Sequence, residues 1–275
     1  MENIKEYVEP YAVFGEPVKY EDIELKPVKL RDYFRFMRAI NCLRIPKNKT
    51  PDINIIQMSY LAFLINYIAV NNDIKQQFID ILSLCFGLER DEKFVVNNPN
   101  FQVDELLVQQ MPNDREDYYI NGWDVIMHLH TKSAEIEIGG HSFNSSQFDD
   151  IRKIILYQNL SDYDDIEMSA DFERVLEDFY RLKNRGIHRP TLEEKRMAVT
   201  TNSPYSLESL DALPIRTFDK MFESVLMKID YMATKSLEPH LKDGHVEHWI
   251  YYHEKDKFSD VFTDVDTVAK KVTSV

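Results

Sequence analysis

Two cysteines among 275 residues, Cys42 and Cys85, are too few for a disulfide scaffold. Neither lies in a Cys-x-x-Cys pair or another ligand spacing, so a zinc knuckle is not indicated. Positive charge is also scarce, with 33 Lys and Arg against 47 Asp and Glu and a formal net charge of −14. That balance repels phosphate backbones and anionic membranes, so neither nucleic acid nor a membrane is expected as a partner. It suits a basic protein partner or serves solubility alone. No long uninterrupted apolar run is present either: the most apolar stretch, 53–70, is broken by Asn54, Gln57, Ser59 and Asn66, and reads as a buried helix rather than a span. The first twenty residues lack a basic stretch followed by an apolar run, which predicts no secretory signal and a cytoplasmic location.

What the sequence does contain is apolar bulk. A hydrophobic fraction of 44% with 12% aromatics is enough to repay chain entropy and argues against global disorder. The expected fold class is mainly α with a small β-rich region (α+β), amphipathic helices packing around a shared core. No long Pro/Ser/Gly linker divides the chain; the expected regions are 1–89, a hairpin plus three helices, 90–145, β-rich, and 146–275, helical.

Residues 1–28 read as strand material, with 18–25 forming a short hairpin after the Gly15-Glu16-Pro17 turn signal. Leu30, Phe34, Met37 and Ile40 then share one helical face, with Pro46 near its limit. Pro51-Asp52 opens a second helix bearing Ile55, Ile56, Tyr60, Phe63, Leu64, Tyr67 and Ile68, and 71–73 cap a third that Gly87 stops. Phe94-Val95-Val96, the turn at 97–100 and then Phe101 and Val103 predict strand, turn, strand; 118–120 and 134–138 are further strands, and 123–130 is ambiguous.

Ser145-Ser146 introduces a helix carrying Phe148, Ile151, Ile155 and Leu156, with Ser146 and Asp149 loosely resembling a capping box. Beyond an acidic loop at 161–167 comes a helix with Phe172, Val175, Leu176, Phe179 and Leu182, stopped by Gly186 and Pro190. Short helices at 191–198 and 207–213 flank a loop at 200–204. After Thr217, read as an N-cap, a core helix presents Phe218, Met221, Phe222, Val225, Leu226, Ile229 and Met232 as its apolar face.

Chemistry-bearing clusters are few. His240, His245, His248 and His253 lie near Asp243, Glu247 and Glu254, but the order is not His-Glu-x-x-His and Gly244 interrupts a helix, so surface or packing histidines are the leading reading. His128 and His130 share a face only in a strand and lack a third ligand. Gly139-Gly140 belongs to no phosphate-binding fingerprint and reads as a tight turn before the Ser145 helix. Asp149, Asp150, Asp162, Asp164 and Asp165 would need to converge to hold a divalent cation and read as an exposed charge run. Ser59 and Ser209 lack a nucleophile elbow. No catalytic, cofactor-binding or metal-binding set is therefore expected, and the protein is expected not to be an enzyme.

Particular strings carry a resemblance. Pro27-Val28 followed by Asp32-Tyr33, and then Ile56-Gln57-Met58-Ser59-Tyr60-Leu61-Ala62-Phe63-Leu64, resemble a family encoded in the tail-gene region of phages and prophages of Gram-positive bacteria. The run Ile138-Gly139-Gly140, Phe143 and Phe148-Asp149-Asp150-Ile151-Arg152-Lys153-Ile154-Ile155-Leu156-Tyr157-Gln158-Asn159 is similar to that family's most recognisable segment, and 221–231 with Glu247-His248-Trp249-Ile250 matches its C-terminal style. The resemblance implies a protein of the bacterial host cytoplasm similar to a tail assembly chaperone, which holds the tape-measure protein soluble and helps recruit tail-tube subunits. The implied physical route is masking: long client helices expose apolar stripes, and a partner that covers them suppresses premature association. Acidic charge adds complementarity where the client is basic. The alternatives are a structural tail or baseplate component retained in the virion and, in another class, a host-directed effector or an uncharacterised enzyme.

Overall fold

Asn3 sets the first helix: its side chain accepts the Glu6 N–H, and Ile4, Val8 and Ala12 recur every four residues as the buried face of α1 (Ile4–Phe14). The reading of 1–28 as strand material is thereby corrected for 4–14; Pro10 obscures the helical signal but lies on the solvent side. The computed structural model describes residues 3–47, 53–96, 101–112, 114–130, 133–165, 170–183, 185–186, 188–237, 246 and 248–250. These group into two units, 1–166 with 205–220 and 167–204 with 221–275. The architecture is mainly helical with a small antiparallel β region, as the residue periodicities predict.

In the first unit the expected hairpin forms from β1 (Val18–Tyr20) and β2 (Ile23–Leu25). Then α2 (Tyr33–Ala39) is only seven residues long and is flanked by 3-10 turns at Leu30–Asp32 and Ile40–Leu43. The tighter turns rotate the pattern, so Phe36 rather than Phe34 is buried with Leu30 and Ile40, and Phe34 lies exposed. The single helix expected over 53–70 is two, α3 (Ile53–Gln57) and α4 (Tyr60–Val70). Ser59 breaks it by taking extended backbone and accepting the Ala62 N–H, which leaves Ile56 exposed while Phe63, Leu64 and Ile68 are buried. The expected opening at Pro51-Asp52 lies outside the described residues. Asn71 caps α5 (Asn72–Ile81), whose last turn, Leu82–Phe86, widens before Gly87 closes it at φ 69°.

The strands expected at 94–96 and 101–103 do not form. Phe94 ends a 3-10 turn, and Asn121 takes the place of a ladder by accepting the Val96 N–H at 2.8 Å and donating to the Gln102 carbonyl at 2.9 Å. The turn expected at 97–100 lies outside the described residues. The sheet is instead β3 (Leu106–Met111), β4 (Arg115–Ile120), β5 (Val125–Leu129), β6 (Ala134–Ile138) and β7 (His141–Asn144), an antiparallel meander in chain order. Tyr118, Met127, Ile136 and Phe143 lie opposite one another across neighbouring strands and form its buried face.

Asn144 and Gln147, not Ser146 and Asp149, make the capping box of α6 (Ser145–Asn159). This helix packs on α1, α4, β6 and β7, so a boundary at residue 145 would cut through one core. Its last turn carries two buried amides: Asn159 Oδ1 accepts the Val28 N–H at 2.7 Å, and Gln158 Nε2 donates to the Leu25 carbonyl at 3.0 Å. Both tie the strand exit after β2 to the helix. No helix among the described residues is long and apolar enough to cross a membrane.

Candidate protein-contact surface

The second unit contains α7 (Ala170–Lys183), α8 (Leu192–Asn202) and residues 221–237 of α10 (Ile215–Leu237); α9 (Leu207–Asp211) belongs to the first unit. Thr191 and Glu194 form the capping box of α8, with His188 2.9 Å from the Glu194 carboxylate. The Thr191 backbone N–H, then His188 and the Thr191 hydroxyl, hold that carboxyl down at about 2. The expected loop at 200–204 is helical as far as Asn202. Thr200, Thr201 and Asn202 hydrogen-bond back to the carbonyls of Arg196, Met197 and Ala198 and so do not compete with the helix.

Thr217 is not the N-cap of α10, because the helix begins two residues earlier at Ile215. Phe218, Phe222 and Val225 are buried as expected, and the Lys195 ammonium stands 5.3 Å from the Phe222 ring centre. Met221 is half-buried, and among the described residues the rest of the expected face is not covered: Leu226 is 48% exposed, Ile229 46% and Met232 60%, with Leu237, beyond that face, 57% exposed. At 100° per residue Leu226, Ile229 and Leu237 fall on one side of the helix, with Met232 flanking them. Val175 and Leu182, seven residues apart on α7, are likewise 55% and 64% exposed, while Leu176 beside them is buried. Amphipathicity is present in both helices, but among the described residues only part of each apolar face is covered. Large apolar side chains left in a stripe rather than singly are the chemistry of a contact surface for another protein.

His240, His245, His253, Asp243, Glu247 and Glu254 lie outside the described residues, and the ring of His248 sits 5.1 Å from that of Tyr231. Among the described residues no three His, Cys, Asp or Glu are placed to hold a metal ion. Asp149 and Asp165 converge on cations of their own chain: Lys153 Nζ is 3.3 Å from Asp149 and 2.7 Å from Asp165, and Arg152 donates to Asp149 at 2.8 Å while stacking on the Tyr60 ring at 4.5 Å. Asp150 accepts from the Tyr20 hydroxyl. Asp149, Asp150 and Asp165 are therefore partnered, and Asp162 and Asp164 are exposed as expected. Gly139 and Gly140 make the β6–β7 turn with positive φ, so a strand separates them from the Ser145 helix. Ser59 is a cap and Ser209 bonds within the first turn of α9. Cys42 and Cys85 are both buried and unbridged, and burial pushes both thiols well up from their usual range.

One network escaped the sequence reading. On the outward face of the sheet Asp117 pairs in register with His128, and His128 Nδ1 lies 2.7 Å from Asp117 Oδ1 while Nε2 lies 3.3 Å from Glu137. Arg115 holds the same carboxylate through Nε at 2.6 Å and Nη2 at 2.9 Å. Asp117 and His128 are both buried although their face is the outer one. The available signal was parity: Arg115, Asp117 and His128 all occupy outward positions of adjacent strands, visible only once their register is known. His130 follows β5 and takes no part in these bonds; its N–H donates to the Ser133 carbonyl. Comparison with protein-family models, curated proteins and solved structures finds no match for this chain.

Proposed function

We propose that this protein is a non-catalytic protein-binding factor that works in phage tail morphogenesis, binding the tape-measure or tail-tube protein in the host cytoplasm during assembly. The observation that carries the binding role is the uncovered stripe Leu226, Ile229, Met232 and Leu237 on α10. The tail-assembly setting is supported by the residue strings quoted above. Apolar surface removed from water is worth roughly 25 cal/mol per Å², so a client helix laid along this stripe gains affinity without any reaction.

Affinity purification of the tagged chain during phage production, with partner stoichiometry, tests this reading. A tail protein should co-purify, and Leu226→Ser with Ile229→Ser should reduce its recovery at least about tenfold while leaving the fold intact. The chain should be absent or strongly substoichiometric in purified virions. Stoichiometric presence there would replace the assembly factor with a tail or baseplate component, and absence of any tail-protein complex under gentle conditions would remove the proposal.

A further inference from the structure

A second surface lies in the first unit and does not depend on the α10 stripe. A cleft of about 400 Å³ runs beside the segment that leaves β2, with Pro17, Pro27 and Leu84 among its apolar lining and Lys26, Lys29 and Arg31 as its cations. Its rim is held firmly. The Lys26 N–H donates to the Cys85 carbonyl at 2.7 Å, Val28 to Asn159 Oδ1 at 2.7 Å and Leu30 to the Leu213 carbonyl at 2.8 Å. Fixed backbone spares a ligand the cost of ordering it.

Two of the three cations of the cleft lack an acidic partner among the described residues: Arg31 touches Asp32 at 3.6 Å, but neither Lys26 nor Lys29 has one. Lys26 Nζ rests over Gly87, at the C-terminal end of a helix whose carbonyls favour a cation. In a chain of net charge −14, a cleft with three cations and one engaged carboxylate is of the opposite sign to the molecule as a whole. Its volume exceeds that of a simple ion, and its apolar lining would be idle against one.

We infer that this cleft docks an acidic peptide segment of a partner protein, its carboxylates against Lys26 and Lys29 and an apolar side chain against Pro17, Pro27 and Leu84. The charge complementarity is local, because at about 150 mM salt the repulsion from distant acids is screened beyond roughly 8 Å.

Fluorescence anisotropy with a labelled Leu-Glu-Asp-Leu-Glu-Asp peptide at about 150 mM NaCl is the test. The intact protein should bind it and should not bind Leu-Gln-Asn-Leu-Gln-Asn. Lys26→Glu with Lys29→Glu should weaken binding at least about tenfold, whereas Lys5→Glu with Lys75→Glu, the same change in net charge, should alter it less than about twofold. Circular dichroism checks that both double variants stay folded. Absence of binding, equal binding of the amide peptide, or equal loss in the two variants would overturn the inference. So would displacement by inorganic phosphate at constant ionic strength, which would make the cleft a simple anion site.

Discussion

Asp117 shows how a single carboxylate becomes a stability element. Burial alone would raise its carboxyl from the ordinary 3.8, but hydrogen bonds from Arg115 and His128 outweigh burial and leave it below that value. A depressed folded value means that the stabilisation is complete above the unfolded value, about 4, and is lost as pH falls through the folded one. Urea unfolding across a pH series should therefore show Asp117→Asn less stable at pH 7 by about 1–3 kcal/mol, the difference shrinking below about pH 4. A constant difference down to low pH would mean that packing rather than charge holds the site. Nothing in the spacing of residues 115, 117, 128 and 137 announces this network. It exists because the β4–β5 register sets Asp117 opposite His128.

At the scale of elements, polar side chains decide where helices start and what they hold. Ser59 splits an apolar run that periodicity alone reads as continuous, and Asn144 rather than Ser146 begins α6. Caps were legible as residue types but not as positions, since several Ser, Asn and Asp neighbours compete for each helix end. Asn159 acts between elements, joining α6 to the Val28 backbone. Asn159→Ala leaves that buried N–H without its acceptor and should cost about 1–3 kcal/mol in chemical denaturation. Because Val28 also forms part of the cleft, the same change should weaken acidic-peptide binding while leaving the α10 stripe unaffected.

For the whole molecule the net charge of −14 opposes compaction, while ion pairs such as Lys153 with Asp149 and Asp165 act only locally. Exposed pairs contribute little each, so screening should relieve more repulsion than it removes attraction. The thermal midpoint at pH 7 should rise between about 10 mM and about 150 mM NaCl; a fall would show that the ion pairs dominate.

Sequence alone determined the composition-level answers: a chain with enough apolar bulk to fold, amphipathic helices over 60–86 and 145–159, strands at 118–120 and 134–138, and thiols outside any ligand motif. Those follow from local period and residue chemistry, which act over a turn of helix or a few residues of strand. Tertiary structure decided which apolar faces are covered and which charges meet. Leu226 and Phe222 have the same hydrophobic character and lie on one helix, yet one is exposed and the other buried, because burial depends on what packs there. Asp117 with His128, and Lys26 with Lys29 at a shared cleft, likewise depend on register and on backbone anchored by residues more than a hundred positions away.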